Sequence, residues 1–303
     1  MIINIWIMVM LKNKIGLNSN VKTLKNVILK KPKDAFKSQK FIDEYWESLN
    51  FISKPEYKKA IHQYDNLIKI LNDNHVDINY LPTDDRTYLD SIYTHDPMVM
   101  TPEGAIIGNM GKELRKDETL MMEDYFIKNN LPILGKIKNT GTLEGGDVIW
   151  IDKSTVAVGL TYRTNAEGIK QLENILSKIN VNLIKVDLPH WDGPNDVLHL
   201  MSLISPLQEK LFLIYEKLIP VGFLNFLKSK NIKFINIDES EYNTLACNVL
   251  PLSENKCLIV SGNDKTRSII DRTGIETIEF EASEICYKGS GGPTCITRPI
   301  HRK

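Results

Sequence analysis

Apolar positions along the chain switch between two spacings. Over Glu56 to Asn74, residues Ile61, Tyr64, Leu67, Ile68 and Leu71 fall on one stripe, which predicts an amphipathic helix. Shorter apolar runs at Lys25 to Lys30 and Asp77 to Leu81 read as strands on either side of it. Beyond them one unit recurs: strand, turn, strand, helix, strand. Its first copy pairs Met98 to Thr101 with Ala105 to Gly108 across Pro102-Glu103-Gly104, then runs through a helix near Lys116 to Lys128 into Ile133 to Ile137. The second pairs Val148 to Ile151 with Thr155 to Leu160 and continues through Ala166 to Lys178 and Asn182 to Val186. The third pairs Leu198 to Ile204 with Lys210 to Tyr215, ahead of Gly222 to Lys228 and Ile232 to Ile237. The fourth pairs Ala246 to Leu250 with Lys256 to Val260, ahead of Asp264 to Arg272 and Glu276 to Phe280.

Asp96, Asp147, His199, Cys247 and Cys295 stand at equivalent unit starts, separated by 51, 52, 48 and 48 residues. A period near 50 predicts a closed, propeller-like α/β repeat architecture. The strand after Cys295 then completes a fifth unit with the N-terminal strand, helix and strand, which removes exposed edges. Polar residues at the first-strand starts converge on one axis in such a ring. A generic α/β protein with βαβ units would show the same elements without the period.

Composition narrows the partners. At 303 residues, 42% hydrophobic and 25% charged, the chain reads as a soluble globular protein. Lys+Arg and Asp+Glu both number 38, so nothing points to nucleic acid or an anionic membrane. Cys247, Cys257, Cys286 and Cys295 show no CxxC spacing, which argues against both a disulfide framework and a zinc site and implies reduced thiols in the cytoplasm. Met1 to Met10 is apolar but too short to span a bilayer, and it lacks the basic start and small-residue cleavage site of a signal peptide. Residues 1–18 are expected to be an extension of unknown role, and 19–303 a single catalytic domain.

Candidate chemistry sits at the unit starts. Leu89 to Pro97 sets Asp90 and Asp96 six residues apart on a run expected to be extended, so both carboxylates can face one side. Gly141 to Val148 brackets Glu144 and Asp147 with glycines just before an apolar strand. A lone histidine heading an apolar strand is more often a satisfied core residue, but His199 stands one period from these acids and two from Cys295. A thiol with His and a carboxylate can be activated as a nucleophile and can protonate a leaving group. Acids beside a thiol oppose thiolate formation, and the pattern makes sense if the substrate is itself a cation such as a guanidinium. Arg115 and Arg163 are candidates to clamp a carboxylate at the other end of such a substrate, or else ordinary surface charges. The loop Lys288 to Thr294 holds three glycines and Pro293 ahead of Cys295. Either it is a turn leading to a buried cysteine, or it is the mobile segment that places the thiol and closes over substrate.

In combination these residues resemble the guanidino-group-modifying superfamily of arginine deiminases, amidinotransferases and dimethylarginine dimethylaminohydrolases. The resemblance runs from Lys25 to Arg302 and rests on LDSIYTHD, RKDE at Arg115 to Glu118, EGGD, RTN at Arg163 to Asn165, HLMS and GGPTCIT, in that order. It implies a five-bladed pseudo-symmetric α/β propeller of ββαβ units. It also implies Cys295 as nucleophile, His199 as general acid and base, and Glu144 as their catalytic partner. Asp90, His95, Asp96, Arg115, Arg163 and Gly289 are expected at the substrate, with Asp147 behind them. Neither metal nor organic cofactor is implied. Met201 stands where deiminases and amidinotransferases carry an acid, two residues after the histidine, which favours the dimethylaminohydrolase branch. His95 and Met201 depart from that branch, which usually has Glu and Lys there.

The expected function is hydrolysis of an ω-N-methylated arginine to citrulline and an alkylamine through a covalent thiouronium. A deiminase of another guanidino compound, an amidinotransferase and a catalytically silent cation-binding propeller are the alternatives. The expected partners are a small guanidino molecule and, for assembly, a second copy in a homodimer.

Overall fold

Strands with both faces covered need continuous apolar runs, and each repeat supplies one as its middle strand. The computed structural model describes residues 15–195 and 198–303. Among them lie five sheets of three strands. The first joins β1 (Leu24–Leu29) to β2 (Asp77–Tyr80) and to the last strand, Arg298–Arg302, with helices α1 (Pro32–Ala35), α2 (Gln39–Tyr45) and α3 (Tyr57–Asp73) between β1 and β2. The others follow the expected order: β3 (Met98–Thr101), β4 (Gly104–Ile107), α4 (Lys116–Lys128), β5 (Ile133–Lys136); then β6 (Val148–Asp152), β7 (Thr155–Leu160), α5 (Ala166–Leu176), β8 (Asn182–Asp187). Next come β9 (Ile204–Gln208), β10 (Leu211–Ile214), α6 (Val221–Ser229), β11 (Lys233–Asn236); and β12 (Leu250–Ser253), β13 (Lys256–Val260), α7 (Asp264–Asp271), β14 (Glu276–Phe280). The last strand is β15. In every sheet the middle strand pairs antiparallel with the inner strand and parallel with the outer one. This is a five-bladed α/β propeller, and β1 pairing with β15 closes its ring.

Local chemistry fits the elements. The β3–β4 hairpin turns on Pro102-Glu103, and Gly104 takes φ 141°, where a Cβ would lie 2.6 Å from the Pro132 carbonyl oxygen. Helix α3 buries Ala60, Tyr64, Leu67 and Leu71 at helical spacing, each large side chain contributing about 1.5–3 kcal/mol of burial. Helix α5 starts at Asn165, whose side chain accepts from the Gly168 N–H at 2.8 Å. Proline occurs in three inner strands, as Pro206, Pro251 and Pro299. Each inner strand is a sheet edge, where a missing N–H breaks no ladder bond. Neighbouring blades are stitched by side chains: Trp150 Nε1 donates to the Met100 carbonyl at 3.3 Å, Ser205 Oγ to that of Cys247 at 2.6 Å, and Thr294 Oγ1 to that of Val249 at 3.0 Å.

Three expectations shift. Leu198 to Ile204 is not a strand: Leu200–Ser202 is a 3₁₀ turn, and the inner strand begins at Ile204. Ala246 to Leu250 likewise gives way to a strand at Leu250–Ser253. In both, buried apolar side chains on the turn mimic the apolar run of a strand. The expected N-terminal extension lies mostly outside the described residues, but Ile15 and Leu17 are core residues and the Gly16 N–H donates to the Ile300 carbonyl at 2.7 Å. The folded body therefore takes in residues 15–18.

Candidate active site

Turns entering three of the inner strands carry Asp96, His199 and Cys295 to a shared cavity of about 60 Å³, which Asp90, Lys112, Arg115, Arg163 and Gly289 also line. Glu144 lies fully buried beneath it. Asp90 sits in a 3₁₀ turn (Leu89–Ile92) and Asp96 in a second turn, so the run between them is folded back rather than extended. Both acids still meet the same arginine: Arg115 Nη1 donates to Asp96 Oδ2 at 2.8 Å, and its Nε lies 3.9 Å from Asp90 Oδ2. The turn Gly145–Asp147 is held by N–H groups of Gly145 to the Asp96 carbonyl (2.7 Å) and of Gly146 to Asp96 Oδ1 (3.1 Å). His199 Nε2 then lies 2.9 Å from Glu144 Oε2 and its Nδ1 3.9 Å from Asp96 Oδ1. Asp147 braces this histidine from behind, accepting from the Leu200 N–H at 3.0 Å and from Thr161 Oγ1 at 2.8 Å.

Gly146 is required by close approach. A Cβ there would overlap His199 Nδ1 and lie 2.9 Å from Asp96 Oδ1. Gly146→Ala is expected to displace the imidazole and lower kcat about 100-fold, the cost of a misplacement of about 1 Å. A kcat within twofold of the parent in steady-state assays would show that the imidazole position is immaterial.

Of the four cysteines, Cys295 alone is part-exposed. Its thiol accepts from Asn248 Nδ2 at 3.2 Å, and Asn248 Oδ1 accepts the Thr294 N–H at 3.0 Å. Burial, and next the Asp96 charge, push this thiol up to about 12, against the pull of Asn248 and the Gly292 N–H. Burial acts to lower His199, but Asp147, Asp96 and Glu144 together outweigh it and raise the imidazole to about 9. Burial pushes Asp147 up to about 6. Burial acts to raise Glu144, yet Arg163, His199 and Arg115 hold it well below the usual carboxylate range. At neutral pH the site thus pairs a neutral thiol with an imidazolium. The ligand atoms of Asp96, Glu144 and His199 lie within 4.8 Å of one another, a set able to embrace a cation. Two guanidinium groups already occupy those carboxylates, so a planar organic cation suits it better than a metal ion.

Several expected residues are placed differently. Arg115 is buried and its donors are spoken for: Nε and Nη2 bind both Glu118 oxygens at 3.0 and 2.9 Å, while Nη1 binds Asp96. Arg163 Nη1 reaches both Glu144 oxygens at 3.3 and 3.2 Å. Neither is a surface charge, and both brace acids. His95 does not line this cavity. Its Nδ1–H donates to the Thr297 carbonyl at 2.9 Å, and its ring borders a separate space further along the axis. Cys247 occupies the turn before β12 but points into the core toward the Leu213 carbonyl, 3.9 Å away. The side chain that reaches Cys295 is that of Asn248, one residue on. Lys112 was also not anticipated: its Nζ bridges Asp90 Oδ2 at 2.7 Å and the Leu49 carbonyl at 2.6 Å. In the glycine loop none of Gly289, Gly291 or Gly292 has positive φ, and Ser290 carries it at 60°. Those glycines are needed because a Cβ would overlap Tyr93 at Gly289 and Gly291, and Asn248 at Gly292.

Arg115→Ala is expected to cost about 3–5 kcal/mol of stability, because it strands the buried carboxylates of Glu118 and Asp96. Denaturant unfolding measures this. A loss below 1 kcal/mol would mean the acids are not held in the charged form.

Residues 33–302 match the family model described as N,N dimethylarginine dimethylhydrolase, eukaryotic. The chain belongs to the dimethylarginine dimethylaminohydrolase family. Among relatives of this dimethylarginine dimethylaminohydrolase-family chain, the N(G),N(G)-dimethylarginine dimethylaminohydrolase of Pseudomonas aeruginosa is 31% identical over 247 residues, covering 81% of this chain and 90% of that one. An arginine deiminase of Bacillus cereus is 26% identical over 270 residues, covering 71% of this chain and 63% of its own. A structure of the Pseudomonas aeruginosa enzyme, a cysteine-to-serine mutant complexed with citrulline, superposes with a TM-score of 0.73 at 28% identity, covering 91% of this chain and 99% of that one. The family places the chain among hydrolases of guanidino C–N bonds. No described helix is long and apolar enough to cross a membrane.

Proposed function

We propose that the protein hydrolyses an ω-N-methylated arginine to citrulline and an alkylamine, with Cys295 as covalent nucleophile and His199 as general acid and then base. The observation that carries this reading is the meeting of a part-exposed thiol, an imidazole and the Asp96 and Glu144 carboxylates around one small cavity. Arg115 and Arg163 sit on the two acids that a substrate guanidinium would take. Binding is then an exchange of partners: the substrate cation takes Asp96 and Glu144, and the freed arginine donors receive the substrate carboxylate. Arg115 keeps Glu118 throughout, so no buried charge is left unpaired.

The cation beside Cys295 offsets Asp96 and draws the thiol proton into solvent. The thiolate attacks the guanidinium carbon, and imidazolium His199 protonates the departing nitrogen as the C–N bond breaks. This leaves an S-alkylthiouronium and a neutral imidazole. His199 next takes a proton from water as its oxygen attacks the same carbon, and the C–S bond breaks to return the thiol and release the ureido product. A wider space of about 320 Å³, walled by Trp191, Tyr242 and Tyr287 and shared by Cys295 and His199, gives the alkylamine a place to leave.

A panel of guanidino compounds assayed for ureido product and released amine tests the substrate. Dimethylamine from asymmetric dimethylarginine is expected to dominate. Ammonia from free arginine as the main product would replace this reading with a deiminase, and product formation that depends on an added amine would replace it with an amidinotransferase.

A further inference from the structure

Further along the inner strands, past the turns that carry the active site, lies a second cavity of about 40 Å³. That is room for about three water molecules. Two arginines on β15, Arg298 and Arg302, border it; they are 5% and 7% exposed. Arg302 Nη1 donates to the carbonyls of Lys22 at 2.7 Å and Pro251 at 2.9 Å. The Arg298 side chain makes no hydrogen bond among the described residues, and its Nε is buried without a partner. The acid whose charge Arg298 feels, Asp96, is already bound to Arg115. Residues 1–14 contain neither Asp nor Glu. Nor does His95 supply a negative charge: it is neutral at most, and its Nδ1–H is committed to Thr297.

Two buried guanidinium groups without a carboxylate are costly, since each forfeits hydration without an ion-pair partner. We infer that the axial cavity is a binding site for a small monovalent anion of halide or formate size, held by Arg298 and Arg302. The remaining wall is largely apolar, with Val99, Met100, Val148 and Met201. Small volume and apolar walls select against phosphate and larger oxyanions, which would leave oxygens unpaired. Burial depresses both guanidinium groups to about 9, so both are still charged at neutral pH, and an anion between them would favour that charged form further. The site is separate from the proposed substrate pocket and stands whether or not that reading holds.

Bromide is the probe, on the full chain. Crystals grown in sodium bromide are expected to show an anomalous peak in contact with Arg298. In thermal unfolding, bromide against gluconate at equal ionic strength is expected to raise Tm with the logarithm of its concentration above Kd, by about 2 °C at ten times Kd, and Arg298→Met to abolish that rise. An empty cavity in bromide crystals, or an unchanged bromide response in Arg298→Met, overturns the proposal. If Arg298→Met does not fold, the wild-type anomalous map decides alone.

Discussion

Replacing Cys295 by serine is expected to lower kcat by about 10⁴-fold or more while leaving substrate affinity within a fewfold of the parent. The fold should accept the change, because a serine Oγ can take the Asn248 Nδ2 hydrogen bond that the thiol accepts at 3.2 Å. The acids that would bind the guanidinium are untouched. What is lost is the proposed nucleophile: a serine hydroxyl needs a base to attack, and His199, raised to about 9, is already protonated at neutral pH. The same imidazolium is an effective acid for the amine, so His199→Gln is expected to reach a similar floor, and the double variant to fall little further. Residues acting as a unit are not additive. Single-turnover assays with mass spectrometry of the intact protein measure both arms, and a covalent adduct should appear only with Cys295 present. Wild-type turnover by Cys295→Ser would remove the covalent mechanism.

The ring was legible because closure imposes a period. Asp96, Asp147, His199 and Cys295 lie on turns entering inner strands, and the middle strands are buried on both faces, so apolar runs mark them. The exact turns were less legible. His199 and Cys247 head apolar stretches that look like strands, yet Leu200–Ser202 is a turn buried in the core. Proline at 206 and 251 would have moved those inner strands later, since an axial edge tolerates proline where a middle strand does not. Period alone also cannot choose between neighbours on a turn. It indicated Cys247, whereas the side chain that reaches Cys295 belongs to Asn248. Lys112 escaped notice for a different reason. It lies between two expected elements, and only the tertiary fold brings it to Asp90, over a separation of 22 residues.

His95 shows how a motif can mislead about direction. It adjoins Asp96, which faces the cavity beside Cys295, yet its ring turns toward the axial space. Adjacent residues in the turn diverge in this way, so proximity in sequence carried the acid but not the histidine. The glycine loop illustrates the converse. The residues expected to confer motion are those that permit contact with Tyr93 and Asn248, and the one left-handed residue is Ser290. The loop positions the thiol by packing.

That packing makes reagent charge decisive. A cationic haloacetamidine is expected to alkylate Cys295 about 100- to 1000-fold faster at pH 7 than the neutral haloacetamide of the same shape. The thiol is pushed up to about 12, so the neutral reagent meets very little thiolate at pH 7, and its rate should climb about tenfold per pH unit up to that value. A cation in the same cavity sits near Asp96 and Glu144. A unit charge about 4 Å from the sulfur at an effective dielectric of about 20 is worth about 4 kcal/mol, enough for the upper end of that ratio. The advantage should shrink as pH rises, because the neutral reagent gains thiolate that the cation no longer has to create. Asp96→Asn removes a like charge that raises the thiol and also a partner of the reagent, so it is expected to speed the neutral label and slow the cationic one. Equal rates for the two labels at pH 7, or a ratio untouched by Asp96→Asn, would show that the acids do not act on the thiol through a bound cation. The charge of the substrate would then have no part in activating Cys295.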